Sequence, residues 1–213
     1  MAKEGLIIIL PLLLLAVVAG IMLWWQPQTW TRVVAWCCWL LLIFCLQFFR
    51  DPKRSPPDDE HAFVSPADGR IVTIKNLDYD EHVGGAALQV SIFLSVFNIH
   101  VQRVPFDATV VDTSYRRGSF LAAFNQRASE ENEQAIAHFA SNSGNFKIKQ
   151  IAGVIARRII SYMHPGGSVL RGERLGYIRF GSRVDIILPA DFQLAVKLGD
   201  KVNGTTSIIG YFK

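Results

Sequence analysis

Fifty residues almost without charge open the chain, and they limit what it can become. Of 40 Lys, Arg, Asp and Glu residues, only Lys3, Glu4, Arg32 and Arg50 fall before position 51. Leu6–Trp25 is an uncharged run of 20 residues and Val33–Phe49 a second of 17. The first is long enough to cross the roughly 30 Å hydrocarbon core of a bilayer as a helix, and the second is near the lower limit. Residues 1–50 therefore predict a two-helix transmembrane hairpin, with helices at about 6–25 and 33–49 and Pro27 and Thr31–Arg32 in the turn. Trp24, Trp25, Trp30 and Trp36 fall where interfacial aromatics sit. A cleaved signal peptide is the alternative for the first run, but apolar character continues to Trp25 and a second run follows.

Basic residues set the orientation. Lys3 precedes the hairpin and Arg50, Lys53 and Arg54 follow it, against Arg32 alone in the turn, so both ends are expected on the cytoplasmic side of the cell (inner) membrane. Cys37, Cys38 and Cys45 all lie in the second apolar run, which leaves the rest of the chain without a disulfide framework or a thiolate metal site; no metal is called for. Residues 51–61, rich in Pro and charge, read as a linker, and 62–213 as one domain with a proper core. From 51 onward 19 basic residues face 17 acidic ones, a balance of +2 that does not point to nucleic acid.

That domain has a mainly β pattern with minor helix. Segments 70–74, 87–93, 109–115, 135–140, 146–151 and 157–162 are short, rich in β-branched or aromatic residues and separated by turn formers. Ser141–Gly144 reads as a hairpin turn, and Ser129–Glu133 as a short helix or a loop. Segments 166–176 and 195–204 echo each other, each setting an apolar pair before a Gly-acid-basic turn, as in compact lipoyl-like β-sandwiches. Lys201 is badly placed for a swinging-arm lysine, so the architecture is expected without that function.

Three Gly-Ser pairs occur, at 118–119, 167–168 and 181–182. Only Gly181-Ser182 joins two apolar strand-like segments, Tyr177–Phe180 and Val184–Leu188, where a strained peptide can be held dry. A serine in an ordinary bend is the plain reading. The chemical one is that the Ser182 hydroxyl attacks the Gly181 carbonyl, and elimination from the resulting ester severs the chain and leaves a pyruvoyl group at the new amino terminus. Two stretches could serve that chemistry. Asp68 lies in a Pro-to-Gly turn within Phe63–Ile71, and His100 is enclosed by Ile99 and Val101 in a segment that also carries Asn98, Gln102 and Arg103. Each alone also suits a structural role, a turn aspartate and a core histidine.

Taken in order, Ser-Pro-Ala-Asp-Gly, Phe-Asn-Ile-His-Val-x-Arg-x-Pro, Ala-Arg-Arg-Ile and Arg-Gly-Glu-Arg-Leu-Gly-x-Ile-x-Phe-Gly-Ser-Arg-Val resemble the phosphatidylserine decarboxylase proenzymes, most closely their short bacterial and archaeal branch. The resemblance implies self-cleavage at Gly181-Ser182 into a β chain, 1–181, and an α chain of 32 residues, 182–213, that stay associated as a heterodimer. It implies that Ser182 becomes a covalent pyruvoyl group, forms a Schiff base with phosphatidylserine in a membrane and releases phosphatidylethanolamine. Asp68 matches the family's aspartate and His100 its first histidine; where longer members have a second histidine, this chain has Arg103. Either His100 serves both maturation and turnover, or Arg103 stabilises an oxyanion and another group takes the proton. Asn132-Glu133 matches a further family motif. Other expectations remain beside this one: a decarboxylase of another serine-headed lipid or amino acid, or a non-enzymatic membrane adaptor with a lipoyl-like β domain, which would need a coiled-coil insertion that the heptad pattern of 51–213 lacks. A homo-oligomer is compatible with all of them.

Overall fold

The computed structural model describes residues 1–123, 125, 127–154, 158–178 and 181–213. It divides into two compact units, Met1–Pro52 and Lys53–Lys213.

In the first unit a short 3-10 turn, Lys3–Gly5, leads into α1 (Leu6–Trp25), which is followed by α2 (Thr29–Phe48). Both are long and apolar enough to cross a membrane. Their side chains are largely bare: Ile7, Leu14, Trp24, Trp25 and Trp36 are all exposed. The second helix begins four residues before the apolar run at Val33, because local hydrogen bonds start it there. The Gln28 amide donates to Thr31 Oγ at 3.1 Å, and that hydroxyl donates back to the Gln28 carbonyl at 2.8 Å. Pro27 stays in the connection, while Thr31 and Arg32 join the first turn. The Ala2 amide donates to the Phe49 carbonyl at 2.8 Å, and a Cβ on Gly5 would collide with the Phe49 ring, so the two outer ends meet.

The second unit is antiparallel β throughout its strand pairs. Its strands are β1 (Ala62–Val64), β2 (Gly69–Asp80), β3 (Gly85–Leu94), β4 (Val101–Arg103), β5 (Ala108–Arg116), β6 (Gln134–Ser141), β7 (Gly144–Ile151), β8 (Ile159–Ser161), β9 (Ser168–Val169), β10 (Arg174–Ile178), β11 (Ser182–Pro189), β12 (Gln193–Leu194), β13 (Lys201–Val202) and β14 (Ile208–Tyr211). One large sheet runs β13-β2-β3-β11-β7-β6-β5-β9, and two small ones run β4-β10-β8 and β1-β14-β12. A short helix, α3 (Ala128–Glu131), stands where Ser129–Glu133 left helix and loop open. The expected segments 70–74, 87–93, 109–115, 135–140 and 146–151 all fall inside strands of the large sheet. Of the sixth, residues 159–161 form β8 and Arg157 lies outside the described residues. The two echoing segments place β9 and β13 at opposite edges of that sheet.

The core lies between one face of the large sheet and the small sheets. Val184, Ile186 and Leu188 of β11 and Val90, Ile92 and Leu94 of β3 pack with Leu175, Ile178 and Ile209. Phe63 contacts the rings of Phe106, Phe146, Phe192 and Phe212 at centroid distances of 5.1–6.1 Å. Each such buried side chain contributes about 1.5–3 kcal/mol. Residues 53–61 are not a free tether, since Arg54 pairs with Asp68 and Arg171 Nη2 donates to the Pro57 carbonyl at 3.1 Å.

At the other end of the large sheet, half-buried His138 meets His82 edge to face at 4.7 Å. Burial first, then the charges of His82 and Lys147, hold His138 below the usual imidazole value, against opposing pulls from Asp112 and Asp80. The unfolded chain therefore takes up this proton at higher pH than the folded one, so His138's contribution is intact above about pH 6.5 and is lost as pH falls toward its folded value. The melting temperature of the detergent-solubilised chain should drop between about pH 7 and pH 5, and His138→Gln should shrink that drop. An unchanged slope in the variant would assign the acid sensitivity to other groups.

Candidate active site

The chain changes sheets at Gly181. Strand β10 ends at Ile178 in a small sheet, and β11 begins at Ser182 as an inner strand of the large one. Arg179 and Phe180, the rest of the expected strand before the corner, lie outside the described residues. Gly181 has φ +66°, the left-handed region that glycine enters without steric cost. Ser182 pairs with Leu94 of β3, and its neighbour Arg183 pairs with both Phe93 and Ile151 of β7.

Side chains alternate along a strand, so Ser182 shares the core face with Val184, Ile186 and Leu188. Its hydroxyl is fully buried and has no hydrogen-bond partner among the described residues. Leaving such a group unsatisfied costs about 1–3 kcal/mol, the kind of exception that marks a functional atom.

His100 adjoins the corner at 0% exposure. The Gly181 amide donates to His100 Nε2 at 3.2 Å, and His100 Nδ1 lies 2.9 Å from the Asn98 carbonyl. A backbone N–H can only donate and a carbonyl only accept. The ring is therefore the neutral tautomer with its proton on Nδ1 and its Nε2 lone pair at the corner.

The Gly181 carbonyl is covered from another side. A Cβ on Gly153 would land on that oxygen, so the segment after β7 packs its bare Cα against it. Asn132 holds that segment in place. Its side-chain amide donates to the carbonyls of Ala152 and Leu121, both at 2.8 Å, and its Oδ1 accepts the Leu121 amide at 2.9 Å.

The opposite face of β11 carries a buried polar network. Arg183 Nε donates to Asp185 Oδ1 at 2.6 Å, and Asp185 Oδ2 accepts Ser129 Oγ at 2.7 Å and Gln89 Nε2 at 3.0 Å. Arg183 Nη2 donates to Ser91 Oγ at 2.6 Å. Lys149 stands across from Asp185 on β7. Burial is the larger influence on its ammonium and holds it below the usual lysine value, although Asp185 pulls the other way.

Of the residues expected from sequence, the structure brings Gly181, Ser182 and His100 together. Asp68 and Arg103 are engaged elsewhere. The Asp68 carboxylate is paired with Arg54 and accepts the Gly204 amide at 2.7 Å, two strands from β11. Arg103 pairs in register with Arg174, at the end of β10 remote from Gly181, and donates to the Gly172 carbonyl at 3.2 Å. Sequence reasoning missed Gly153 and Asp185. The signal for Asp185 was present, since a cation and an anion two apart in an apolar strand share a face and must be neutralised there.

The sequence profile of the phosphatidylserine decarboxylases matches residues 41–210. The chain belongs to that family. Among curated relatives, the phosphatidylserine decarboxylase proenzyme of Neisseria meningitidis serogroup C is 43% identical over 185 residues, covering 83% of this chain and 69% of the relative. Those of Paraburkholderia phymatum and Burkholderia mallei are 44% identical over 177 residues, covering 83% of this chain and 83% and 82% of the relatives. The residues matched by the family profile include both the Gly181-Ser182 corner and the His100 segment.

Asp185→Asn would leave Arg183 buried without its counter-charge, and breaking such a pair costs about 3–5 kcal/mol. Thermal melting should show a large loss for Asp185→Asn and a smaller one for the double replacement Arg183→Met with Asp185→Leu, which removes both charges. A double variant worse than either single would mean that the network stabilises more than it costs to bury.

Proposed function

We propose that this chain is a self-processing proenzyme that cuts itself between Gly181 and Ser182 and decarboxylates phosphatidylserine to phosphatidylethanolamine through a pyruvoyl group made from Ser182. The observation that carries this reading is the buried Ser182 hydroxyl, unpartnered among the described residues, next to a left-handed glycine whose amide rests on a neutral histidine. An adaptor role is not favoured, because the chain belongs to a decarboxylase family.

Cleavage balances as follows. The Ser182 Oγ–C bond to Gly181 forms, the Gly181–Ser182 amide breaks, and the serine nitrogen takes a proton. Loss of the Ser182 α-proton then expels the Gly181 carboxylate from Cβ, and water converts the enamine left at residue 182 into a pyruvoyl group with release of ammonia. His100, with Nδ1–H fixed by Asn98, offers Nε2 as the proton acceptor at this corner. Gly153 sets a bare Cα against the carbonyl oxygen, where any side chain would collide with it.

The residues present fit a pyruvoyl group, since position 182 opens a buried strand and needs no other attachment. When formed, its ketone supplies the electron sink that loss of carbon dioxide from an amino acid requires. In turnover His100 returns a proton to the carbon that has lost its carboxylate. Asp68 and Arg103 act here as positioning residues, Asp68 fixing Arg54 and the Gly204 turn and Arg103 tying β4 to Gly172.

The partition that follows is a hairpin over 1–50, a connection over 51–61 and a decarboxylase domain over 62–213, cut into chains 1–181 and 182–213. Strand pairing supports a lasting association of the two chains, since β11, β13 and β14 all pair with strands of the longer piece. Basic residues at both outer ends of the hairpin support a cytoplasmic domain at the membrane that holds its substrate.

Denaturing mass spectrometry of the purified chain should find a 32-residue fragment, 182–213, that resists Edman degradation, and Ser182→Ala should leave one polypeptide of 23.8 kDa. An intact wild-type chain that still releases carbon dioxide would sink the proposal. His100→Ala should slow cleavage or turnover by about 100-fold or more. Gly153→Ala, which drives a methyl group onto the scissile carbonyl, should accumulate uncut precursor; full cleavage at the wild-type rate would remove Gly153 from the mechanism.

A further inference from the structure

A cavity of about 470 Å³ opens at the end of the large sheet beside the cleavage corner. Arg70 and Lys201 line it, together with Ser95, Asn98 and Asn203. No carboxylate is among its lining residues. Arg70 and Lys201 are in register across β2 and β13, so two cations stand directly opposite each other, an arrangement that opposes strand pairing unless an anion lies between them. Arg70 donates to the Gly199 carbonyl at 3.1 Å, and neither cation pairs with a carboxylate among the described residues. The nearby Asp68 does not neutralise them, since its carboxylate is taken by Arg54 and Gly204.

The cavity backs directly onto the catalytic corner. Ser182 pairs with Leu94, so the next residue, Ser95, reaches the level of Gly181. The Ser95 amide and hydroxyl donate to Asn98 Oδ1 at 2.9 and 2.7 Å, and the Asn98 carbonyl fixes His100 Nδ1. Arg70, Phe93 and Arg183 lie in one row across β2, β3 and β11, which puts the Arg70 backbone roughly 10 Å, two strand spacings, from the residue after Ser182. Side chains of that row stand on the face opposite the Ser182 side chain, so an anion held by the two cations would connect with residue 182 round the open end of the sheet, past Ser95 and Asn98.

We propose that this cavity is the subsite for the phosphodiester of the lipid headgroup, gripped by Arg70 and Lys201 while the amine reaches residue 182. This rests on the decarboxylase reading above. Arg and Lys suit the task because their charge-assisted hydrogen bonds to phosphate are the strong kind. The subsite makes the enzyme choose serine esterified to phosphate over free serine, whose carboxylate and amine are the same.

The test uses the full-length chain in an uncharged detergent, with phosphatidylserine dispersed in mixed micelles so that bulk surface charge is small. The double variant Arg70→Gln with Lys201→Gln should still cut itself, with KM for phosphatidylserine raised about tenfold or more and the loss falling on KM rather than kcat. Arg70→Lys with Lys201→Arg should recover most of that affinity. Glycerophosphoserine should compete with the lipid on wild type and lose its effect on the Gln pair. Inorganic phosphate competing equally well at the same concentration would mark a general anion site and overturn the headgroup assignment. An unchanged KM in the cut Gln pair overturns the subsite and leaves the decarboxylase reading standing. A wild-type chain that releases no carbon dioxide from phosphatidylserine overturns that reading and the subsite with it.

Discussion

The carboxylate of Asp185 is buried to 0% exposure in the middle of β11, with donors from Arg183, Gln89 and Ser129 converging on it. A lone ionised carboxylate there would cost far more than the fold can spare, so the three donors are a condition of folding. They come from three places: the same strand, the neighbouring β3, and α3. The network thus settles at once where β11 lies in the sheet and where α3 docks. Asn132, just beyond α3, then reaches Ala152 and brings Gly153 against the Gly181 carbonyl. Order propagates from a buried ion pair to the bond proposed to break.

A break at that bond is tolerable because of where the chain is woven. Gly181 stands outside both β10 of the small sheet and β11 of the large one, immediately before the first paired residue of β11. Downstream, β11 is paired over eight residues with β3 and five with β7, enough to hold a free end without a covalent tether. Were the scissile bond in the middle of a strand, cutting it would release ladder hydrogen bonds on both sides and expose core. At a sheet crossing, the same cut frees a terminus and little else.

Much of this was legible in the sequence. The uncharged runs marked both apolar helices, and β-branched and aromatic residues set between turn formers marked the longer strands of the large sheet, because those residue types suit a pleated, packed surface. The two- and three-residue strands β1, β4, β9, β12 and β13 were not legible, since pairs of residues carry no period and are strands only by virtue of a partner brought from afar. The site divides the same way. Gly181, Ser182 and His100 stand out by residue type and setting. Asp68 and Arg103 also stand out, yet the structure ties them to Arg54, Gly204 and Gly172, contacts between distant parts of the chain that local sequence does not encode. Gly153 gave no local sign, because its importance is a lack of side chain facing an atom 28 positions away.

Register is what separates the two kinds of chemistry on β11. Ser182 and Asp185 differ in parity, so the hydroxyl falls on the dry face and the carboxylate on the polar one. Slipping the strand by one residue would exchange the faces, placing the serine among donors and acceptors that would satisfy it and the charges in the core. The burial cost of Arg183 and Asp185 in the wrong face makes that slip prohibitive. The charged pair therefore keeps the neighbouring hydroxyl on the dry face, and a hydroxyl with no partner among the described residues, set against a left-handed glycine, is the state from which attack on the carbonyl gives up none of the hydrogen bonds described.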